Sequence, residues 1–333
     1  MPESQPGGTD SAPAIMDYRF PSGDLQLRGH LAEPPEGPHS APGLLLCHGF
    51  PVRGRESPQS GVSFPELADR IAVELGWVVL AMNFRGCGAA EGNYSMLGWL
   101  DDVAAGVAEL NRLGVQGVWI AGFGTGGSLA VCEGARNPSV MGVAALATPT
   151  DFEDWARNPR RLLRHARDVQ VIKDPEFPPS FEEWAAGFKS VHPVEAAERL
   201  APRPLLVVHG DSDDLTPLND GRALARAHGD AEFRLINGAG HELRHDPRAV
   251  AVLLGWLSRQ QIAVLAQPTE AEIESAELEA AELEAAELEA AEVEAAELEA
   301  AEVESAVLEA AEVESAVLES AESARETPTD PPG

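Results

Sequence analysis

The sequence predicts an α/β protein built on an open, doubly wound, mostly parallel sheet, and three observations carry that expectation. Apolar runs of strand length alternate with longer stretches of helical periodicity from residue 43 to residue 261, the pattern of βαβ units around a parallel sheet. The runs are apolar nearly throughout rather than at every second position, as strands covered on both faces require. A glycine-dense segment, Gly122-Phe123-Gly124-Thr125-Gly126-Gly127, joins one such run directly to a helical stretch. Sheets of this kind hold their ligands outside the carboxyl ends of the strands, where such a turn lies.

Taken in order, residues 1–14 are rich in Pro, Gly, Ser and charge, bury too little apolar surface to order themselves, and are read as a disordered tail. Two short strands over 15–20 and 25–32, separated by Pro21, Ser22, Gly23 and Asp24, predict a β-hairpin. The buried strands follow as GLLLCHG (43–49), WVVLAMNF (77–84), GVWIAGF (117–123), VMGVAALA (140–147), PLLVVHG (204–210) and AEFRLING (231–238). Helices are predicted between and after them at about 64–75, 98–113, 126–136, 217–228 and 246–261. Residues 150–203 carry Pro-rich breaks and two helical patterns around Trp155 and Trp184 without a strand, too long a connection for a bare loop, and predict a small cap.

The segment 267–333 is different in kind. It carries 22 acidic residues against the single Arg325, and so accounts for −21 of the formal net charge of −31. Its repeat unit, AELEA, advances the Leu or Val position by about 140° around a helix per repeat, so no apolar stripe forms. Thr269 and Glu272 fit a capping box after Pro268, and Ala, Glu and Leu favour helix, whereas closely spaced glutamates repel. A solvated single helix and a fluctuating acidic coil both fit this tail, whose expected role is that of a spacer or a weak protein-interaction segment.

With the tail set aside, residues 1–266 are only moderately acidic, and 44% of the whole chain is hydrophobic, enough for one sizeable core. The charge argues against nucleic acid or an anionic membrane as a partner. The amino terminus lacks the basic and apolar regions of a signal peptide, and the apolar runs are far too short to span a bilayer. Cys47, Cys87 and Cys132 fall in three separate elements with no ligand spacing, as reduced structural thiols of a cytoplasmic protein would. No metal, nucleotide or flavin motif is present, so neither a metal nor a cofactor is expected.

A strand-to-helix turn with small residues two before and two after its apex has the form of a nucleophile elbow, which aims the apex side chain into an active site. Here the apex is Gly124. Four other motifs accompany it: LLLCHGF (44–50), NFRGCG (83–88), HGDSDDLTP (209–217) and GAGHE (238–242). With these, residues 15–262 resemble the α/β-hydrolase superfamily, in particular its serine aminopeptidase-like and dienelactone hydrolase-like members. The resemblance implies a catalytic acid at Asp213, a catalytic histidine at His241, and an oxyanion hole made by the backbone N–H groups of Phe50 and Thr125. It places Gly124 where the nucleophilic serine belongs, with apex, acid and histidine in the order of that fold.

Each residue also has a plainer reading. Asp213 lies beside Asp211 and Asp214, which on their own read as solvated turn residues; Cys87 lies off the elbow and reads as a packing residue; the Thr125 hydroxyl is expected to face away from the histidine. Glycine at the apex relieves backbone strain and removes the covalent route. The sequence therefore predicts a hydrolase-fold protein impaired or inactive as a serine hydrolase, binding a small ester-like or apolar ligand. The alternative is an active hydrolase of carboxylic esters, amides or lactones that uses a water activated by His241 and Asp213, or an unrecognised nucleophile.

Overall fold

The computed structural model describes residues 17–35, 37, 41–52, 64–265 and 270–323. The chain divides into two compact units between Ile262 and Ala263. The larger holds one eight-stranded sheet in the order β1-β2-β4-β3-β5-β6-β7-β8.

The hairpin forms from β1 (Tyr18–Ser22) and β2 (Leu25–Ala32), and β2 continues antiparallel onto β4. Pro21 and Ser22 lie inside β1, so the turn is only Gly23-Asp24; as the first strand is an edge, Pro21 needs no ladder partner for the N–H it lacks. Residues 15 and 16, assigned to this strand from sequence, and the tail over 1–14 lie outside the described residues. The remaining strands, β3 (Gly43–Cys47), β4 (Val78–Asn83), β5 (Val118–Phe123), β6 (Val140–Leu146), β7 (Leu205–Gly210) and β8 (Glu232–Ile236), run parallel. β3, β4, β5 and β7 are buried at every residue. β8 departs from the expected two-sided burial: Arg234 and Leu235 are exposed, because the strand is the far edge of the sheet and has one neighbour.

The winding reverses at β3. The chain passes from β3 through α1 (Phe64–Leu75) to β4 on one side, then through α2 (Met96–Arg112) to β5 on the other. Such a reversal opens a crevice at the carboxyl ends of the two central strands. α2 starts two residues earlier than its periodicity indicates because Ser95 caps it, the side chain accepting from the Gly98 N–H at 3.1 Å. α3 (Thr125–Arg136), α8 (Leu218–His228) and α9 (Pro247–Leu265) complete the main helices. Four fully buried tryptophans, Trp77, Trp99, Trp119 and Trp256, are the largest side chains of the interior.

The connection from β6 to β7 is built from α4 (Glu153–Arg157), α5 (Pro159–Asp168), α6 (Phe181–Ala186) with a short 3-10 turn after it, and α7 (Pro193–Leu200). The cap is therefore shorter than the expected 150–203. α7 packs against α3 and α8 as part of the helical layer on the sheet, and its Ala196, Ala197 and Leu200 are buried there. Trp155, Phe188 and Trp184 join the cap to Tyr94 through ring contacts at centroid separations of 6.4 Å each.

In the second unit, α10 (Glu270–Ser323) is one helix of 54 residues. Leu278, Leu283, Leu288 and Leu298 are all more than 60% exposed, which follows from a repeat that spreads its apolar positions around the helix. The capping box at Thr269 lies outside the described residues. Among the described residues no helix is long and apolar enough to cross a membrane.

Candidate active site

The site is built at the reversal of the sheet, where β3 and β5 are paired in the register Cys47↔Gly122. This register brings the loop after β3 against the turn after β5. Gly126 sits so close beneath that loop that a Cβ would overlap the carbonyl oxygens of His48 and Cys47, the latter at 2.6 Å. A Cβ on Gly122 would likewise meet the Gly126 carbonyl. Gly126→Ala is therefore expected to force strand and helix apart and to cost at least about 3 kcal/mol, the upper range for overpacking a close-packed site. Urea denaturation checks this; an unchanged midpoint would show that the approach is not tight.

Gly124 occupies the apex with φ 54° and ψ −126°, a backbone region that side chains adopt only under strain. Its N–H donates to the Leu146 carbonyl at 2.9 Å and its own carbonyl accepts from the Gly127 N–H at 2.9 Å. The turn thus holds the elbow conformation without the side chain for which that strain is ordinarily tolerated. An ideal Cβ built here would lie 3.3 Å from His241 Nε2 and 3.6 Å from Gly49 Cα.

Asp213 and His241 reach this point from two loops on the same end of the sheet. The loop after β7 curls so that Asp213 Oδ1 accepts from the N–H groups of Leu215 and Thr216, both at 2.9 Å. His241 Nδ1 lies 3.0 Å from Asp213 Oδ2 and 3.2 Å from Oδ1. Burial pushes the Asp213 carboxyl up, but the hydrogen bonds from His241, Thr216 and Leu215 and the attraction of His241 outweigh it and hold the group below its ordinary value. An ionised carboxylate only accepts, so Nδ1 carries the imidazole proton and Nε2 presents its lone pair toward Gly124.

Sequence reasoning missed two histidines behind these residues. His209, at the end of β7 and fully buried, donates from Nε2 to the Thr216 carbonyl at 3.0 Å and so ties together the loop that carries Asp213. His48, just after β3, donates from Nδ1 to the Gly49 carbonyl at 2.7 Å and accepts the Phe84 N–H at Nε2, 3.4 Å away. Both stand inside the quoted motifs, but their partners lie on backbone atoms that no spacing reveals.

Burial lowers the His48 pKa from 6.5 to about 4; the Gly49 carbonyl opposes the shift and the Arg244 charge adds to it. A folded value below the unfolded one means that the unfolded chain binds the extra proton. The stability involved is present in full above pH 6.5 and is lost as the pH falls from 6.5 toward 4. Roughly 3 kcal/mol follows from a shift of this size. His48→Gln is expected to flatten the drop in urea midpoint between pH 7 and pH 4.5; an identical drop in both proteins would assign the loss to other groups.

Above the elbow lies a cavity of about 550 Å³. Gly124, Thr125 and His241 line its floor, and Phe50, Phe152, Trp155 and Leu162 form an apolar wall under the cap. Asp151, Glu153, Asp154 and Asp220 also line it, with Arg157 paired to Glu153. Phe50 touches Trp155 at a ring-centroid distance of 5.0 Å, and so couples the loop after β3 to the cap. Thr125 is the first residue of α3, where the N–H has no partner within the helix. Among the described residues neither that N–H nor the Phe50 N–H donates a hydrogen bond. Cys87 is buried and lines neither this cavity nor the smaller one beside it.

Comparison with known proteins agrees with this architecture. A family model described as alpha/beta hydrolase fold matches residues 42–180. The 2-hydroxymuconate semialdehyde hydrolase of Pseudomonas putida is 27% identical over 248 residues, covering 64% of this chain and 86% of its own. The enzyme of the same name from Pseudomonas sp. strain CF600 is 28% identical over 214 residues, covering 53% and 74%. Among solved structures, Est1E from Butyrivibrio proteoclasticus superimposes with a TM-score of 0.57 at 17% identity, covering 76% of this chain and 100% of its own, a likeness of fold. Sheet order, the family-model match over 42–180 and these likenesses together show that the chain has the α/β-hydrolase fold.

Proposed function

We propose that this protein binds a small ester-like or apolar ligand in the cavity beneath its cap and is impaired as a serine hydrolase. The observation that carries the reading is Gly124: the position facing His241 Nε2 at 3.3 Å has no nucleophile. In this reading Asp213 orients His241, and the N–H groups of Phe50 and Thr125 form the oxyanion hole. The aromatic wall supplies the binding energy, and the acidic lining favours a neutral ligand over an anion. Residual hydrolysis proceeds through a water deprotonated by His241, since an oxyanion hole and binding still accelerate reaction by roughly a thousandfold over water.

The test joins binding to turnover. Because Trp155 lines the cavity, an unreactive methyl ketone that mimics a short ester is expected to change the intrinsic fluorescence, and Trp155→Phe to remove most of that change. Turnover of p-nitrophenyl acetate, and of the 2-hydroxymuconate semialdehyde for which the relatives are named, is expected to stay well below the roughly 1–10³ per second of ordinary enzymes. Turnover of either compound in that range, abolished by His241→Ala, would sink the proposal.

A further inference from the structure

A second, smaller cavity adjoins the first. It measures about 20 Å³ and is bounded by Gly49, Phe123, Gly124, His241 and Leu243. Phe50, Val52, Gly124, Leu215 and His241 line both cavities, so the two meet at the elbow. A water needs roughly 10–15 Å³ of such space, so the small cavity holds one molecule of about that size. The large one accommodates an acyl compound. Gly124 and His241 stand at the junction, with His241 Nε2 3.3 Å from the point a side-chain Cβ would occupy.

We infer that the small cavity is a binding site for an external nucleophile, so that the protein is an acyltransferase to small hydroxyl or amino compounds, with water as the slowest acceptor. The inference rests on the reading that no side chain of the protein serves as nucleophile. The acyl ester occupies the large cavity with its carbonyl oxygen toward the Phe50 and Thr125 N–H groups. An acceptor H–Nu in the small cavity gives its proton to His241 Nε2 as the bond between Nu and the acyl carbon forms. The tetrahedral adduct then expels the alkoxide, which takes that proton back from His241. The ester and H–Nu become the new acyl compound and the free alcohol in one passage, with no acyl-enzyme and no oxidant or reductant.

Three features of the site favour transfer over a merely slow hydrolase. The glycine provides the space, because a Cβ would stand between Gly49 Cα and the imidazole at 3.6 and 3.3 Å. Phe50, Phe123, Leu215 and Leu243 line the small cavity beside Glu242 and Arg244, and these four side chains offer no hydrogen bond, so they suit the methyl group of an acceptor better than a water. The cavity is also too small for a branched acceptor.

The experiment uses the full chain, p-nitrophenyl acetate, and a series of acceptors: hydroxylamine, methanol, ethanol and 2-propanol. The expected result is a saturable rise in p-nitrophenol release with hydroxylamine and methanol. Acetohydroxamate and methyl acetate should appear as products, with at least tenfold less acceleration by 2-propanol than by methanol. His241→Ala is expected to remove the acceleration. Gly124→Ala, whose methyl group fills the junction, is expected to remove it as well, and the size series in the unaltered protein stands even if that variant folds poorly. Rates that rise linearly with every acceptor, follow solution nucleophilicity without a size limit, or survive His241→Ala would overturn the inference. A fluorophosphonate probe separates the two claims. Labelling of the unaltered protein overturns the proposed function itself, whereas an unlabelled protein without the size-limited acceleration overturns the transfer reaction alone.

Discussion

Gly124→Ser is expected to raise p-nitrophenyl ester turnover by at least about 10²-fold, since in the proposed reading a serine there adds a covalent route to a site in which His241 serves as base and the Phe50 and Thr125 N–H groups as oxyanion donors. The backbone already has the elbow conformation, φ 54° and ψ −126°, so the turn itself need not move. The new Cβ meets His241 Nε2 at 3.3 Å, and the imidazole has to give by a few tenths of an ångström to accept the hydroxyl. The variant also takes on a backbone strain of order 1–3 kcal/mol that glycine avoids, and its melting temperature is expected to fall by several degrees. Kinetics and a thermal melt measure both effects. A serine variant no faster than the parent would show that the histidine or the oxyanion donors are not where the reaction requires them.

In that serine background, His241→Ala is expected to abolish the gain, a loss of about 10²–10⁴-fold in kcat, the range a general base contributes. Asp213→Asn is expected to fall in the same range, because an amide nitrogen facing Nδ1 favours the tautomer with the proton on Nε2. The Asp213 carboxylate accepts two backbone N–H groups besides the imidazole, so the asparagine variant keeps an acceptor for its loop. If the two variants retain the serine protein's rate, Asp213 and His241 are packing partners only.

Much of this site is visible in the sequence because it is written in backbone constraints. Gly122, Gly126 and Gly127 are glycines because carbonyls or the Thr148 hydroxyl occupy the place of their Cβ atoms, and a strand-to-helix turn with that requirement is readable from spacing. β3, β4, β5 and β7 are uniformly apolar because both faces are covered, and their bounds fall within two residues of the runs that predict them. The edge strand β8 is less legible, since its Arg234 and Leu235 face outward and its pattern matches neither a buried nor an alternating strand.

The substrate side is illegible for a different reason. Phe50, Trp155, His165 and Asp220 come from four separate segments, and only the folded cap brings them to one cavity. α7 shows the same effect in reverse: its apolar positions are those of any amphipathic helix, and whether it covers the cap or the sheet depends on its packing against α8 and against α3, which lies distant in sequence. The repeat behind α10 shows in the sequence only that no apolar stripe forms, leaving helix and coil both open, and side chains that face solvent name no partner.

The central claim is that the protein has no nucleophile of its own at the elbow. Intact-protein mass spectrometry after incubation with a fluorophosphonate measures this directly, with Gly124→Ser as the positive control. The account predicts one adduct on the serine variant, lost with His241→Ala, and none on the parent chain. A stoichiometric adduct on the parent, mapped to Thr125 or any other hydroxyl, would contradict it.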